Sequence, residues 1–158
     1  MYEQFASEAI GKRVNFLFRI TMRHIRGEMK KIGIGASDYS FIFILFFKEG
    51  LSQDEMSKIM YVDKSYTARA LARLEKLGMV ERRPDPDEHR VKRVYLCEKA
   101  RDLEDDIFRV LMDWQQVLVK DIEHDEFKII RDGLDKMLDN ARSALGYEDP
   151  SQILGKKS

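Results

Sequence analysis

From Ile10 onward the apolar residues Val14, Leu17, Ile25, Met29 and Ile32, with Thr21 filling one step, recur at a mean spacing near 3.6 residues. That period predicts an amphipathic helix over about residues 4 to 31. Gly33 and Gly35 end it, and Ser37 is placed to cap a second helix running through Phe41 to Phe47. Every position of that run is apolar, so periodicity does not separate helix from strand there. About twelve residues fit between Ser37 and Gly50, which favours helix. Ser52-Gln-Asp-Glu55 is a capping box that opens a short third helix to about Met60. After Tyr61-Val62, Asp63 caps a fourth helix ending at Leu77, with Gly78 as its left-handed stop.

Two short strands follow, Met79 to Arg83 and Arg93 to Cys97, around the polar tip Pro84 to His89. In the second strand Val94 and Leu96 alternate with Arg93 and Tyr95, the period-2 pattern of a half-buried strand. Leu103, Ile107, Val110, Leu111, Trp114, Val117, Leu118 and Ile122 then mark a long helix, and Phe127, Ile130, Leu134, Met137, Ala141 and Leu145 mark another. The residues from Gly146, with Pro150 and the Lys156-Lys157 end, read as a frayed tail. The pattern predicts a mainly α protein with a small β-hairpin.

The fourth helix carries the chemistry. Ser65, Arg69, Arg73 and Lys76 are spaced four, four and three residues apart and so share one face, while Ala68, Leu71 and Leu74 occupy another. Ser65, Tyr66 and Thr67 place short donors in the first turn beside Lys64. A recognition helix has this layout: its N-terminal side chains reach base edges in the major groove, and later Arg and Lys neutralise phosphates. A basic helix face alone is more often solvated surface, but here a capped short helix precedes it and a hairpin carrying Arg82, Arg83, Arg90, Lys92 and Arg93 follows it. Helix-turn-helix plus basic β-wing is a winged helix, and the wing tip suits a minor groove, whose negative potential attracts an inserted Arg.

Charge sharpens this. The 158 residues carry 28 Lys plus Arg against 28 Asp plus Glu, which argues against indiscriminate coating of nucleic acid. The balance is uneven along the chain: residues 1 to 50 hold 8 basic and 5 acidic side chains, 51 to 100 hold 11 and 9, and 101 to 158 hold 9 and 14. Within Lys58 to Arg93 there are 10 basic and 6 acidic residues, so the positive surface is central and the acidic excess terminal.

At S-Q-D-E-M-S-K-I-M from Ser52, V-D-K-S-Y-T-A-R-A-L-A-R-L-E-K-L-G-M-V-E-R-R from Val62 and D-P-D-E-H-R-V-K-R-V-Y-L-C-E-K-A from Asp85, the chain resembles the MarR (multiple antibiotic resistance regulator) family of winged helix-turn-helix transcription factors. The resemblance implies a dimerisation helix at 1–34, a winged helix-turn-helix lobe at 35–100, dimerisation helices at 101–146 and a flexible tail at 147–158. It implies a homodimer on a pseudo-palindromic operator, a repressor relieved by a small amphipathic or phenolic effector, and no enzymatic activity. DNA contacts are expected from Lys64, Ser65, Tyr66, Thr67, Arg69, Arg73, Arg83, Arg90 and Lys92, with Arg90 matching the family's wing-tip arginine. Glu88 stands where the family usually has Asp, positioned to orient that arginine by a charge-assisted pair. Cys97 replaces the usual Thr at the cap of the fifth helix, and Ala100 the usual Gly.

Little else competes. A single cysteine excludes an intramolecular disulfide and multi-cysteine zinc site. A redox role for Cys97 is the lesser reading beside a structural thiol. His24, His89 and His124 have no metal-ligand spacing, and no nucleophile elbow, P-loop or dinucleotide fingerprint appears. No cofactor is expected. The longest apolar run, seven residues, is short of the roughly 20 a membrane span needs, and the N-terminus lacks a signal-peptide pattern, so a cytoplasmic protein is expected. Eight Met and sixteen aromatic residues serve a core or an effector cavity equally. The rival from another class is a helical dimeric adaptor or effector-binding protein without DNA affinity.

Overall fold

A computed structural model describes residues 9–35 and 38–155. Helix α1 (Ile10–Lys31) leads into α2 (Tyr39–Phe47), the two-residue strand β1 (Leu51–Ser52), α3 (Gln53–Met60) and α4 (Lys64–Lys76). The hairpin β2 (Val80–Pro84) and β3 (Lys92–Leu96) follows, then α5 (Glu98–Arg101), α6 (Glu104–Leu118), α7 (His124–Leu145) and α8 (Pro150–Leu154). The expected start of α1 near residue 4 and the cap at Ser37 lie outside the described residues.

Local chemistry fixes the central boundaries. The Ser52 hydroxyl accepts from the Glu55 N–H at 3.2 Å while the Glu55 carboxylate accepts from the Ser52 N–H at 2.7 Å, closing the capping box of α3. Asp63 accepts from the Tyr66 N–H at 2.7 Å and so starts α4. Gly78, at φ +69, ends it in the left-handed region. The apolar run is helical because it is embedded: Phe41, Ile42, Ile44 and Leu45 are all buried, and a helix apolar around most of its circumference belongs inside.

The sheet is three-stranded and antiparallel, in the order β1-β3-β2, with Leu51 opposite Val94 and Arg82 opposite Val94 on the other side. Strand β1 is absent from the sequence expectation because two residues are too few to show alternation. On β3, Val94 and Leu96 point into the core and Arg93 and Tyr95 away from it, as the period predicts. The core gathers Phe41, Ile42, Leu45, Leu51, Met56, Leu71, Leu74, Met79 and Val80, closed on one side by Ile25 and Met29 of α1 and Ile107 of α6. Each such side chain contributes about 1.5–3 kcal/mol by leaving water. The inner face of α4 is Thr67, Ala70, Leu71 and Leu74; Ala68, expected there, is only half-buried.

Two departures concern the flanks. The residues after Gly146 are not simply a frayed tail: α8 forms, Ile153 and Leu154 pack against the core, and Lys48 donates to the Ile153 carbonyl. The end of α7 also reaches the helix-turn-helix, where the Arg142 guanidinium donates to the Tyr61 hydroxyl at 2.6 Å and Tyr147 lies 5.5 Å from the Tyr61 ring. Between α1 and α6, His24 stacks on Trp114 at 4.5 Å, and Trp114 Nε1 donates to the Thr21 hydroxyl at 3.0 Å. His24 is thereby a packing residue, and among the described residues no group of His, Cys, Asp and Glu is arranged to hold a metal ion.

The long helices carry apolar faces that the single chain leaves open. None of the 22 residues of α7 is buried, and Ile130, Leu134 and Leu138 stand exposed along it. Val14, Leu17 and Phe18 do the same on α1. Among the described residues no helix is long and apolar enough to cross a membrane.

Candidate nucleic-acid interface

Helices α3 and α4, joined through Tyr61 to Asp63, form the helix-turn-helix. Tyr61 turns the chain in the left-handed region at φ 53, and the Val62 N–H closes the corner on the Ser57 carbonyl at 3.1 Å. A hydroxyl pair locks the two helices together: Ser57 donates to Thr67 at 2.8 Å, and Thr67 lies 3.3 Å from the Asp63 carbonyl. Thr67 is fully buried. It therefore has no access to bases, which corrects the expectation that it contacts DNA; its hydroxyl serves the helix pair instead.

The remaining residues of α4 divide between two faces. Lys64, Ser65, Arg69 and Lys76 are exposed. Lys64 pairs with Asp54 of α3 at 2.7 Å, whereas Arg69 and Lys76 make no ion pair among the described residues. Arg73 is exposed as well but, like Lys64, is paired. Its Nε and Nη2 donate to the two carboxylate oxygens of Asp38 at 3.0 and 2.7 Å, so the guanidinium is clasped by the loop before α2. Its pKa is pushed further up, chiefly by that hydrogen bond. Half of the Arg73 side chain remains exposed, against 5% of Asp38. Tyr66 also turns aside: half-buried, it leans on Phe41 and lines an open cleft of about 800 Å³ whose other wall is Phe18, Met22, Arg23 and Arg26 of α1. It does not stand on the face shared by Ser65 and Arg69.

The hairpin projects from the same lobe. Arg82 pairs with Glu75 of α4, and Arg83 pairs with Glu81 while lying 4.6 Å over the Tyr95 ring. At the tip, Arg90 and Lys92 are exposed and make no ion pair among the described residues. The Glu88 carboxylate is expected to orient Arg90, but Glu88 is exposed and takes part in the tip through its backbone, donating its N–H to Asp85 at 3.0 Å and accepting from Val91 at 2.8 Å.

Sequence reasoning missed the acidic residues that hold this surface. Asp38, Asp85 and Glu55 each fix an arginine. The capping box pointed to Glu55, and period 2 placed Arg93 on the polar face of β3. Their pairing crosses 38 residues and leaves no local trace. The Arg93 hydrogen bond, then backbone N–H groups, hold the Asp85 carboxyl below the usual range. Burial works to raise Glu55, yet the Ser52 hydrogen bonds and Arg93 outweigh it and keep Glu55 low as well. Cys97, at the cap of α5 without a side-chain cap bond, has its thiol pushed up, mainly by burial. That opposes the activation a redox sensor needs.

The fold that carries this arrangement, an exposed donor-rich helix start with cations behind it and a cationic β-tip beside it, is matched in known proteins. The model of the MarR family matches residues 35–92. A MarR transcriptional regulator from Methanosarcina mazei Go1 is 30% identical and superposes with a TM-score of 0.82, over 87% of this chain and 99% of that one. A MarR family regulator from Listeria monocytogenes, solved with a 26mer DNA, shares 20% identity and the fold, with a TM-score of 0.80 over 90% of this chain and 98% of that one. The helix-turn-helix-type regulator YybA of Bacillus subtilis is 24% identical over 74 residues, 47% of this chain, and the chain spans about half, 49%, of that relative's length. With the whole architecture, the wing and the helix-turn-helix in agreement, the chain belongs to the MarR family of transcriptional regulators.

Proposed function

We propose that the protein works as a homodimer that binds a pseudo-palindromic operator and represses transcription, with a small amphipathic effector relieving repression. The observation that carries this is the coexistence of exposed cations on α4 and the wing, of which Arg69, Lys76, Arg90 and Lys92 have no ion pair among the described residues, with uncovered apolar faces on α1 and α7. Exposed apolar stripes of this length mark an interaction surface, and burying them against a second copy pairs two winged helices by a two-fold axis.

In this reading Lys64, Ser65 and Arg69 enter the major groove, Arg90 and Lys92 reach the flanking minor groove and backbone, and Arg83 contacts phosphate. Arg73 offers its exposed half to the backbone while Asp38 holds the rest. Glu88 sets local charge at the tip. The acidic residues 101–149 stay away from DNA on the dimerisation helices. The cleft between α1 and α4, lined by apolar side chains together with Arg19, Arg23 and Arg26, is the natural seat for an amphipathic anion, and its Tyr66 wall belongs to the recognition helix. An effector there favours a dimer whose recognition helices are wrongly spaced. Location in the cytoplasm follows from the partner being DNA.

Titration of the protein against DNA from upstream of its own gene, at several salt concentrations, tests this. Tight, sequence-selective binding that weakens steeply with salt is expected. Affinity no better than for random DNA leaves a dimeric adaptor as the better reading.

A further inference from the structure

The wing tip is folded around one carboxylate, and that carboxylate is held by one arginine. Asp85 Oδ1 accepts the N–H groups of Asp87 and Glu88 at 2.8 and 3.0 Å. The Asp85 N–H donates to the Val91 carbonyl at 2.9 Å, closing the loop that carries Arg90. The other oxygen, Oδ2, receives Arg93 Nε at 2.5 Å. Arg93 then reaches out of the hairpin: its Nη1 donates to Glu55 Oε2 at 2.8 Å and lies 3.3 Å from the Gly50 carbonyl. Glu55 Oε2 is the same oxygen that caps α3 by accepting the Ser52 N–H. One planar guanidinium therefore joins the tip of the wing to the first helix of the helix-turn-helix and to the β1 edge.

We propose that Arg93 is a positioning residue that sets the wing against the recognition helix and acts on DNA through Arg90, without itself binding phosphate. Two carboxylates embrace its single charge, so the cluster presents no net positive charge to a phosphate. Its fork geometry is required, because a lysine ammonium has one nitrogen and a different reach, and does not span both acids from one planar group. The other wing arginines differ: Arg82 and Arg83 each meet one acid, and Arg90 meets none among the described residues. This inference rests on the DNA-binding reading above.

The test is a double-mutant cycle read by fluorescence anisotropy on a duplex from upstream of the protein's own gene. Arg93→Lys and Asp85→Asn are each made in the wild-type chain and in Arg90→Ala. With Arg90 present, each is expected to weaken binding about 10-fold, and in Arg90→Ala less than about 2-fold, because the wing has already lost the side chain they position. Circular dichroism melts confirm that each variant is folded at the assay temperature, and Asp85→Asn carries the test if Arg93→Lys is not. Equal losses in both backgrounds overturn the proposal, since Arg93 then acts on DNA directly or through the whole fold. No loss in either background overturns it too. Should the wild type fail to prefer this duplex over random DNA, the DNA-binding reading falls and takes the proposal with it; selective wild-type binding with additive losses defeats the proposal alone.

Discussion

Removing either partner of the Arg73–Asp38 pair is expected to have unequal consequences, because the two side chains are unequally exposed. Asp38 is 5% exposed and Arg73 half exposed. In Arg73→Ala the carboxylate keeps its place in the loop with both charge-assisted hydrogen bonds gone. A buried charged group left without its partner costs about 2–3 kcal/mol. In Asp38→Asn the guanidinium is free to swing into water and the amide still accepts one hydrogen bond, so the cost falls to about 1 kcal/mol. For a chain of this length, 2–3 kcal/mol corresponds to a melting temperature lowered by about 4–12 °C. Arg69→Ala on the next turn of the same helix removes no ion pair and is expected to change stability by less than about 0.5 kcal/mol. Urea unfolding of the three variants, at one protein concentration because the dimer contributes to stability, ranks them. Arg73→Ala within about 0.5 kcal/mol of wild type, or Asp38→Asn costing more than Arg73→Ala, would mean that the pair does not hold α4 to the loop before α2 in this way.

Thr67→Val preserves shape and removes the hydroxyl that ties α4 to Ser57, so it is expected to cost about 1 kcal/mol in thermal melts while leaving the DNA sequence preference unaltered; a changed preference in a binding-site selection would return Thr67 to the base-reading surface. Asp85 and Glu55 titrate below their ordinary values in the folded protein. Their contribution is therefore complete above the unfolded carboxylate range and is lost as pH falls through the folded values, so melting temperature should fall below about pH 4, with Asp85→Asn showing a shallower acid limb than wild type. A steeper limb in that variant contradicts the sign. Cys97, with its thiol pushed up by burial, should react with iodoacetamide at pH 7.5 several-fold more slowly than a free thiol of ordinary pKa, about 8.5; a faster rate would revive a sensing role.

Local signals made much of this fold legible. Capping at Ser52 and Asp63, the left-handed Gly78 and the alternation along β3 are decided by neighbours within a few residues, and each stands where the sequence puts it. What escaped depends on distance. Thr67 looks like an exposed donor until α3 packs against it. Arg73 looks like a free cation until Asp38, 35 residues earlier, arrives beside it and takes half of its side chain. The residues beyond Gly146 lack periodicity and look like a tail, yet Ile153 and Leu154 find apolar partners only after the chain has folded back on the lobe. Helical periodicity likewise marked apolar stripes on α1 and α7 but not what covers them. In the single chain no residue of α7 is fully buried.

Hydroxyl-radical footprinting of the upstream DNA reads out directly whether two winged helices of one dimer sit on the duplex. Two protected windows related by a two-fold axis are expected, their centres about 10 bp apart, with flanking minor-groove protection that disappears in Arg90→Ala. A single unpaired window, or protection spread evenly along the duplex, would contradict that arrangement.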